Sequence, residues 1–195
     1  MNIYNKTVTI LLVIFEAILI FTGFTALLQK DYEVFKLSLL AIFSILIPFI
    51  LSLLAKKKKL NLPLSFQLFG IIFIFTAQYF GEIKNFYDYI WWWDLMLHGA
   101  FGSYMVITFL HLIKGIIRRE IDITRKRYVM ATSLFAFSFA VTLGTLWEIF
   151  EFSGDFMFNT GMVKGGLEDT MSDLIVKTTA ALVTSSIYYF RKRNE

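Results

Sequence analysis

The chain has 195 residues, 57% of them hydrophobic, and its mean hydropathy is +0.64. Soluble domains of this length are nearer half apolar, with their apolar residues scattered at helix or strand period. Here the apolar residues form long blocks with the charged residues between them, which excludes an ordinary soluble domain and predicts a polytopic membrane protein. The net charge of +4 does not indicate a nucleic-acid partner, because the basic residues lie beside the hydrophobic blocks.

Six hydrophobic blocks follow one another along the chain, each near the ~20 residues that a helix needs to cross a bilayer. Backbone groups in lipid must be hydrogen-bonded within their own segment, so blocks of this length predict helices. The first block is too long for a signal-peptide core, and we interpret it as a retained span. The sequence therefore predicts a single all-α integral membrane domain over residues 1–195, a bundle of about six transmembrane helices. The predicted spans are about 7–28, 34–55, 64–83, 95–116, 128–152 and 171–190.

Basic residues predict how this bundle is oriented. They gather between spans two and three, between spans four and five, and after span six. With six spans, all three segments fall on one side, which the positive-inside rule assigns to the cytoplasm. Both termini are then cytoplasmic. The residues are Lys56, Lys57, Lys58, Lys59, Lys114, Arg118, Arg119, Arg125, Lys126, Arg127, Arg191, Lys192 and Arg193.

The loops predicted on the opposite side are acidic, with only Lys84 and Lys164 as basic residues. The three tryptophans at 91–93 stand where an aromatic belt meets the membrane–water boundary. Asp94 follows them at the start of span four, where a carboxylate suits a helix N-terminus.

Ionisable side chains recur at helical spacing where the last three spans reach this acidic side. Residues three or four apart share a helix face, and a charge at the bilayer centre costs roughly 2.5–3.5 kcal/mol. We therefore expect these side chains to face protein or trapped water, with Lys177 paired to Asp173 or Glu148. They are Asp94 and His98 on span four, Glu148 and Glu151 on span five, and Asp169, Asp173 and Lys177 on span six.

Two chemistries fit this set. In the first, a divalent metal is bound by His98, Glu148, Asp94 and Asp173, as helical bundles do with carboxylates projecting inward. The absence of cysteine leaves only such ligands, and a metal-activated water could attack an ester or phosphoester. In the second, no metal binds, and the imidazole and carboxylates act as general acid and base or as a proton relay. His111 lies near the basic loop and stays outside the predicted site.

Three segments, FYDYIWWWDLMLH, LGTLWEIFEFSGD and GGLEDTMSDLI, together resemble the bacterial inner-membrane protein family typified by YjdF, over residues 78–189. A more distant similarity is to VanZ-like membrane proteins, which are linked to glycopeptide resistance. The resemblance implies a bacterial cytoplasmic membrane location but no established reaction. Members usually carry Asn or Asp where this chain has Lys177, and an ammonium beside metal ligands would compete with a cation. The matching positions are Asp94, His98, Glu148, Glu151, Asp169 and Asp173.

The leading hypothesis is a membrane protein that processes or recognises a lipid or cell-envelope headgroup, as a metal-dependent hydrolase or transferase. Its catalytic residues would be His98, Glu148 and Asp173, and its pocket would include Asp94, Glu151, Asp169 and Lys177. A proton-coupled transporter is the second hypothesis, although it predicts an inverted repeat that the sequence does not display. The third is a non-enzymatic subunit of a membrane complex, in which the buried charges fix helix register.

Overall fold

The computed structural model describes residues 3–114, 116–117, 120–158, 161–163 and 165–194. Three basic residues of the loops, Arg118, Arg119 and Lys164, lie outside these ranges. The described residues form helices joined by turns, with no strand, which confirms the all-α class. The helices are α1 (Ile3–Gln29), α2 (Tyr32–Ser44), α3 (Ile47–Lys57), α4 (Phe66–Phe75), a π-helix (Thr76–Ile83), α5 (Phe86–Tyr89), α6 (Trp93–Leu112), α7 (Arg125–Phe158) and α8 (Gly166–Lys192).

Among the described residues, five segments are long and apolar enough to cross a membrane, and they coincide with the first five predicted spans. The fold is thus a helical membrane bundle. The segments are Lys6–Gln29, Tyr32–Lys57, Phe66–Ile83, Trp93–Leu112 and Arg125–Phe158.

The sixth predicted span is present as α8, a helix of 27 residues. It falls short of the other five in apolar composition, because it carries Glu168 and Asp169 in its first turn and the buried Asp173 and Lys177 further on. The predicted side of each terminus depends on whether α8 also crosses the membrane, so the orientation remains a prediction.

The chain divides into two compact units, Met1–Trp93 and Asp94–Glu195. Each unit has most of its contacts within itself. The single membrane domain stays a prediction. The first unit packs α1 to α4 and the π-helix around an apolar core that includes Leu19, Ile45 and Ile71. Its second span bends between α2 and α3, where Pro48 cannot donate a backbone hydrogen bond.

The third span changes its winding halfway. It begins as α4 and continues as the π-helix, which has eight residues and the wider i→i+5 turn. The π-helix is rare in proteins as a whole, and where it occurs it is often found at a functional site. Gly81 lies near its end, where an added Cβ would stand 2.2 Å from the Tyr87 ring. The missing side chain therefore lets α5 fold back against the π-helix.

The second unit is a three-helix bundle of α6, α7 and α8. Its apolar core combines Val106 of α6 with Ala136 and Ala140 of α7 and Ala181 of α8, all almost fully buried. The small alanine side chains allow close approach of helix backbones. At one end, Arg125 Nε donates a hydrogen bond to the Lys192 carbonyl at 3.1 Å and joins the start of α7 to the end of α8.

Candidate functional site

Helices α6 and α8 bring three of the predicted site residues together at the end of the bundle opposite Arg125. His98 Nε2 lies 3.1 Å from Asp94 Oδ1, one helical turn earlier on α6. The same nitrogen lies 3.4 Å from Asp173 Oδ2 on α8. One ligand atom from each residue lies within 4.8 Å of the others, a grouping that could hold a metal ion. We call Asp94, His98 and Asp173 the acid–histidine cluster.

Exposure is graded across the acid–histidine cluster. The Asp94 side chain is 33% exposed, His98 is 10% exposed and Asp173 is only 3% exposed. Access therefore comes from the start of α6, and Asp173 forms the closed end.

One carboxylate oxygen of Asp173 is buried without a hydrogen-bond partner among the described residues. Asp173 Oδ2 faces His98, and the buried oxygen is Oδ1. An unsatisfied buried carboxylate oxygen costs about 1–3 kcal/mol or more. Such an atom in a native fold calls for a ligand, an ion or a water to complete it.

Glu148 and Lys177 form a second, separate feature of the site. Lys177 Nζ donates a hydrogen bond to Glu148 Oε1, and both side chains are almost completely buried. Glu148 is one of the two partners expected for Lys177 from the sequence, the other being Asp173. Glu148 was also predicted as a metal ligand, but its carboxylate binds the ammonium and is absent from the grouping that could hold a metal ion. The physical reason is that an ammonium buried there needs a carboxylate.

Two glycines make room for Lys177, and sequence reasoning did not single them out. A Cβ at Gly102 of α6 would stand 2.5 Å from the Lys177 carbonyl oxygen, so α6 and α8 approach by backbone contact there. A Cβ at Gly144 of α7 would stand 3.1 Å from Lys177 Cδ. The signal was available in the sequence, because Gly102 and Gly144 each lie four residues from a site residue, His98 and Glu148.

Glu151 and Asp169 lie beside the acid–histidine cluster rather than in it. Glu151 is half-buried, one turn after Glu148 on α7, and hydrogen-bonds with Trp147. Asp169 is half-buried one turn before Asp173, with Gly165 against its side chain. Both carboxyl groups lie outside the grouping of atoms that could hold a metal ion.

The Asp155 carboxylate has a structural role. Its two carboxylate oxygens accept hydrogen bonds from the backbone N–H groups of Met162 and Val163, each at 2.8 Å. It therefore closes the turn between α7 and α8. His111, left outside the predicted site, lies at the other end of α6 with Nδ1 2.9 Å from the Ile107 carbonyl oxygen.

Fold and site together define a helical membrane protein with ionisable side chains buried in its last three helices. Residues 7–194 match the model of the family described as "Predicted membrane protein (DUF2238)", and the chain belongs to this family. An uncharacterized protein of Thermotoga maritima is 34% identical over 119 residues, which cover 61% of this chain and 59% of the relative. The match thus spans less than two thirds of that relative. No solved structure matches the chain. Neither match bears the YjdF or VanZ name, so those resemblances stay predictions.

Proposed function

We propose that this chain is a bacterial inner-membrane protein whose acid–histidine cluster binds one divalent cation near the extracytoplasmic face. There it processes or recognises the headgroup of a lipid or cell-envelope precursor. The observation that carries the proposal is the convergence of Asp94, His98 and Asp173 around a buried carboxylate oxygen that has no partner among the described residues.

The separations between donor atoms suit a metal. For metal–ligand bonds of about 2.1 Å, donors at right angles are about 3.0 Å apart and donors at tetrahedral angles about 3.4 Å apart. The distances from His98 Nε2 to Asp94 Oδ1 and Asp173 Oδ2 are 3.1 and 3.4 Å. One imidazole and two carboxylates favour Zn²⁺ or Mn²⁺ over Ca²⁺, which prefers oxygen ligands throughout.

Charge balance supports a cation of charge two. A metal-bound imidazole is neutral, so the charged groups of the cluster and the adjoining ion pair are the carboxylates of Asp94, Asp173 and Glu148 and the ammonium of Lys177. These groups carry a net charge of −2, which a divalent cation cancels. The resemblance implied that the Lys177 ammonium would compete with a metal ion. Because Lys177 is paired with Glu148, its charge is neutralised and it does not bind the proposed metal ligands.

Three protein ligands leave coordination positions for oxygen atoms of another molecule, which is the usual arrangement in catalytic metal sites. The more exposed Asp94 marks the side from which such a molecule would arrive. A phosphate or ester oxygen at headgroup level fits this position, and the cation would polarise it. Glu151, half-buried and outside the ion pair, is the carboxylate that would exchange protons with the substrate.

Metal content of the purified full-length protein tests the proposal. We expect about one divalent ion per chain in the wild type after equilibration with Zn²⁺ or Mn²⁺ and gel filtration. His98→Ala and Asp173→Asn should lose it. His111→Ala is the matched control on the same helix and should retain it. A wild-type protein that binds neither ion, or a His98→Ala variant that binds as well as His111→Ala, would contradict the proposal.

A second candidate is a proton-coupled transporter. It is favoured by hydroxyl groups buried further along the same three helices, at Thr108, Thr132, Ser133 and Ser185. Most of these hydroxyls donate to carbonyls of their own helix, as Ser133 does to Val129 at 2.7 Å, so they do not form a continuous relay. A pH-gradient assay in liposomes decides the matter. Proton flux that disappears in His98→Ala would favour transport over headgroup processing.

A further inference from the structure

An open groove runs along the first unit, on the surface between α1 and the end of the π-helix. Its volume is about 540 Å³. We call it the α1 groove. Its lining includes Ala17, Phe21, Thr22 and Thr25 of α1, Tyr79 of the π-helix, and Lys84. These residues belong to Met1–Trp93, whereas the acid–histidine cluster belongs to Asp94–Glu195.

The groove arises where aromatic packing between α1 and the third span stops. Phe15 of α1 stacks on Phe75 at the end of α4, with ring centroids 4.0 Å apart. Phe75 in turn stacks on Tyr79, at 4.9 Å. Beyond this stack the third span has become the π-helix, and Tyr79 forms one wall of the groove. The change in winding thus leaves a space beside α1 that no described side chain of this unit fills.

Polarity changes along the groove in the way an amphiphile requires. Ala17 and Phe21 line it within the apolar part of the first span. Thr22 and Thr25 donate their hydroxyl protons to carbonyls of α1, at 2.8 and 3.0 Å, and their oxygens keep lone pairs that can accept a hydrogen bond. Lys84 stands directly after the third span, which ends at Ile83, and so lies at headgroup level.

The Lys84 side chain is exposed at the groove, and its ammonium lies over the Tyr79 ring. Its Nζ lies 5.4 Å from the centroid of the Tyr79 ring, within the ~6 Å range of a cation–π contact. The positive charge and the apolar lining therefore belong to one surface. Charge complementarity points to an anionic headgroup.

We infer that the α1 groove binds one anionic phospholipid. Its phosphate contacts Lys84, headgroup hydroxyls donate to Thr22 or Thr25, and an acyl chain lies along Phe21 and Ala17. The length is suitable, because the eight residue steps from Ala17 to Thr25 rise about 12 Å along the helix, close to the ~15 Å thickness of one leaflet's hydrocarbon. The lipid would be bound as a resident lipid and would not be turned over there, since the described residues that line the groove include no acid–base pair.

Native mass spectrometry of the full-length protein tests this inference. The protein is incubated with equimolar phosphatidylglycerol and phosphatidylcholine of identical acyl chains. We expect the wild type to retain phosphatidylglycerol at least five-fold over phosphatidylcholine. Lys84→Gln should reduce this ratio to near one. Lys36→Gln is the matched control, because Lys36 is an exposed lysine of the same unit that pairs with Glu33 outside the groove.

A second variant tests the apolar half. Ala17→Trp places an indole in the groove without changing charge, and it should lower retention of both lipids together. Inorganic phosphate at millimolar concentration should not displace the lipid, since the acyl chain supplies much of the contact. Equal retention of both lipids by the wild type, an unchanged ratio in Lys84→Gln, or displacement by phosphate alone would each overturn the inference. His111→Ala, on α6 and outside the acid–histidine cluster, should leave the ratio unchanged. The metal assay measures ion content and this assay measures the lipid ratio, so failure of the metal proposal and failure of this one are distinguishable.

Discussion

The two units of the chain bury different kinds of side chain. The first unit, Met1–Trp93, has an apolar and aromatic core, and its buried polar side chain among the described residues is Ser38. The second unit, Asp94–Glu195, buries His98, Glu148, Asp173 and Lys177 beside an alanine-rich core. Burying charge costs free energy that apolar packing does not. Both units contain helices long and apolar enough to cross a membrane, but the buried ionisable side chains of the proposed site belong to the second unit.

The largest effect should follow from breaking the buried ion pair. Lys177→Met leaves the Glu148 carboxylate buried and unpaired, which should lower the free energy of unfolding by about 3–5 kcal/mol. The measurement is denaturant unfolding in detergent micelles. The double variant Lys177→Met with Glu148→Met should recover much of this loss, because it removes both charges. Lys36→Met, in an exposed pair of the first unit, should cost about 0–1 kcal/mol. Similar losses in Lys177→Met and Lys36→Met would remove the distinction between the units.

Metal removal should have the next largest effect. A ligand that binds only the folded state stabilises it by about 2.7 kcal/mol when present at 100 times its Kd. Chelation should therefore lower the Tm of the wild type and of His111→Ala by the same amount. It should leave His98→Ala and Asp173→Asn unchanged, since neither retains the ion. A chelator shift that persists in His98→Ala would place the metal elsewhere.

Adding a methyl group at the close contact between α6 and α8 should have the third largest effect. Gly102→Ala forces a Cβ toward the Lys177 carbonyl oxygen, which is backbone and cannot rotate away. We expect a loss of about 1–3 kcal/mol from overpacking, together with weaker metal binding. Gly99→Ala is the matched control, because its Cβ would meet only the Val176 side chain at 3.3 Å. If Gly99→Ala and Gly102→Ala weaken metal binding equally, the backbone contact at Gly102 has no special part in positioning the cluster.

The smallest expected effect is at the α7–α8 turn. Asp155→Ala removes two acceptors of backbone N–H groups and should cost about 1–2 kcal/mol. Metal content should not change, because Asp155 belongs to the turn and not to the acid–histidine cluster. Loss of the ion in Asp155→Ala, with the unfolding free energy unaltered, would mean that Asp155 reaches the site.

Local features were predictable from the sequence, and contacts between helices were less so. The pairing of Asp94 with His98 follows from a spacing of four residues on one helix. Expecting Lys177 to find a carboxylate was also sound, but the choice of Glu148 over Asp173 depended on how α7 and α8 face each other. The assignment of Glu148 as a metal ligand stays a prediction, because the structure shows its carboxylate paired with Lys177. The π-helix had no recognisable signal, since its residues also suit an α-helix.

The sequence by itself determined where the helices lie, because a bilayer demands apolar segments of a set length with satisfied backbones. It also determined which ionisable residues share a helix face. Only the tertiary structure decided that Asp173 meets His98 while Glu148 meets Lys177. Those meetings depend on the rotation of each helix about its axis and on the close approach at Gly102, which the spacing of residues along one helix does not specify.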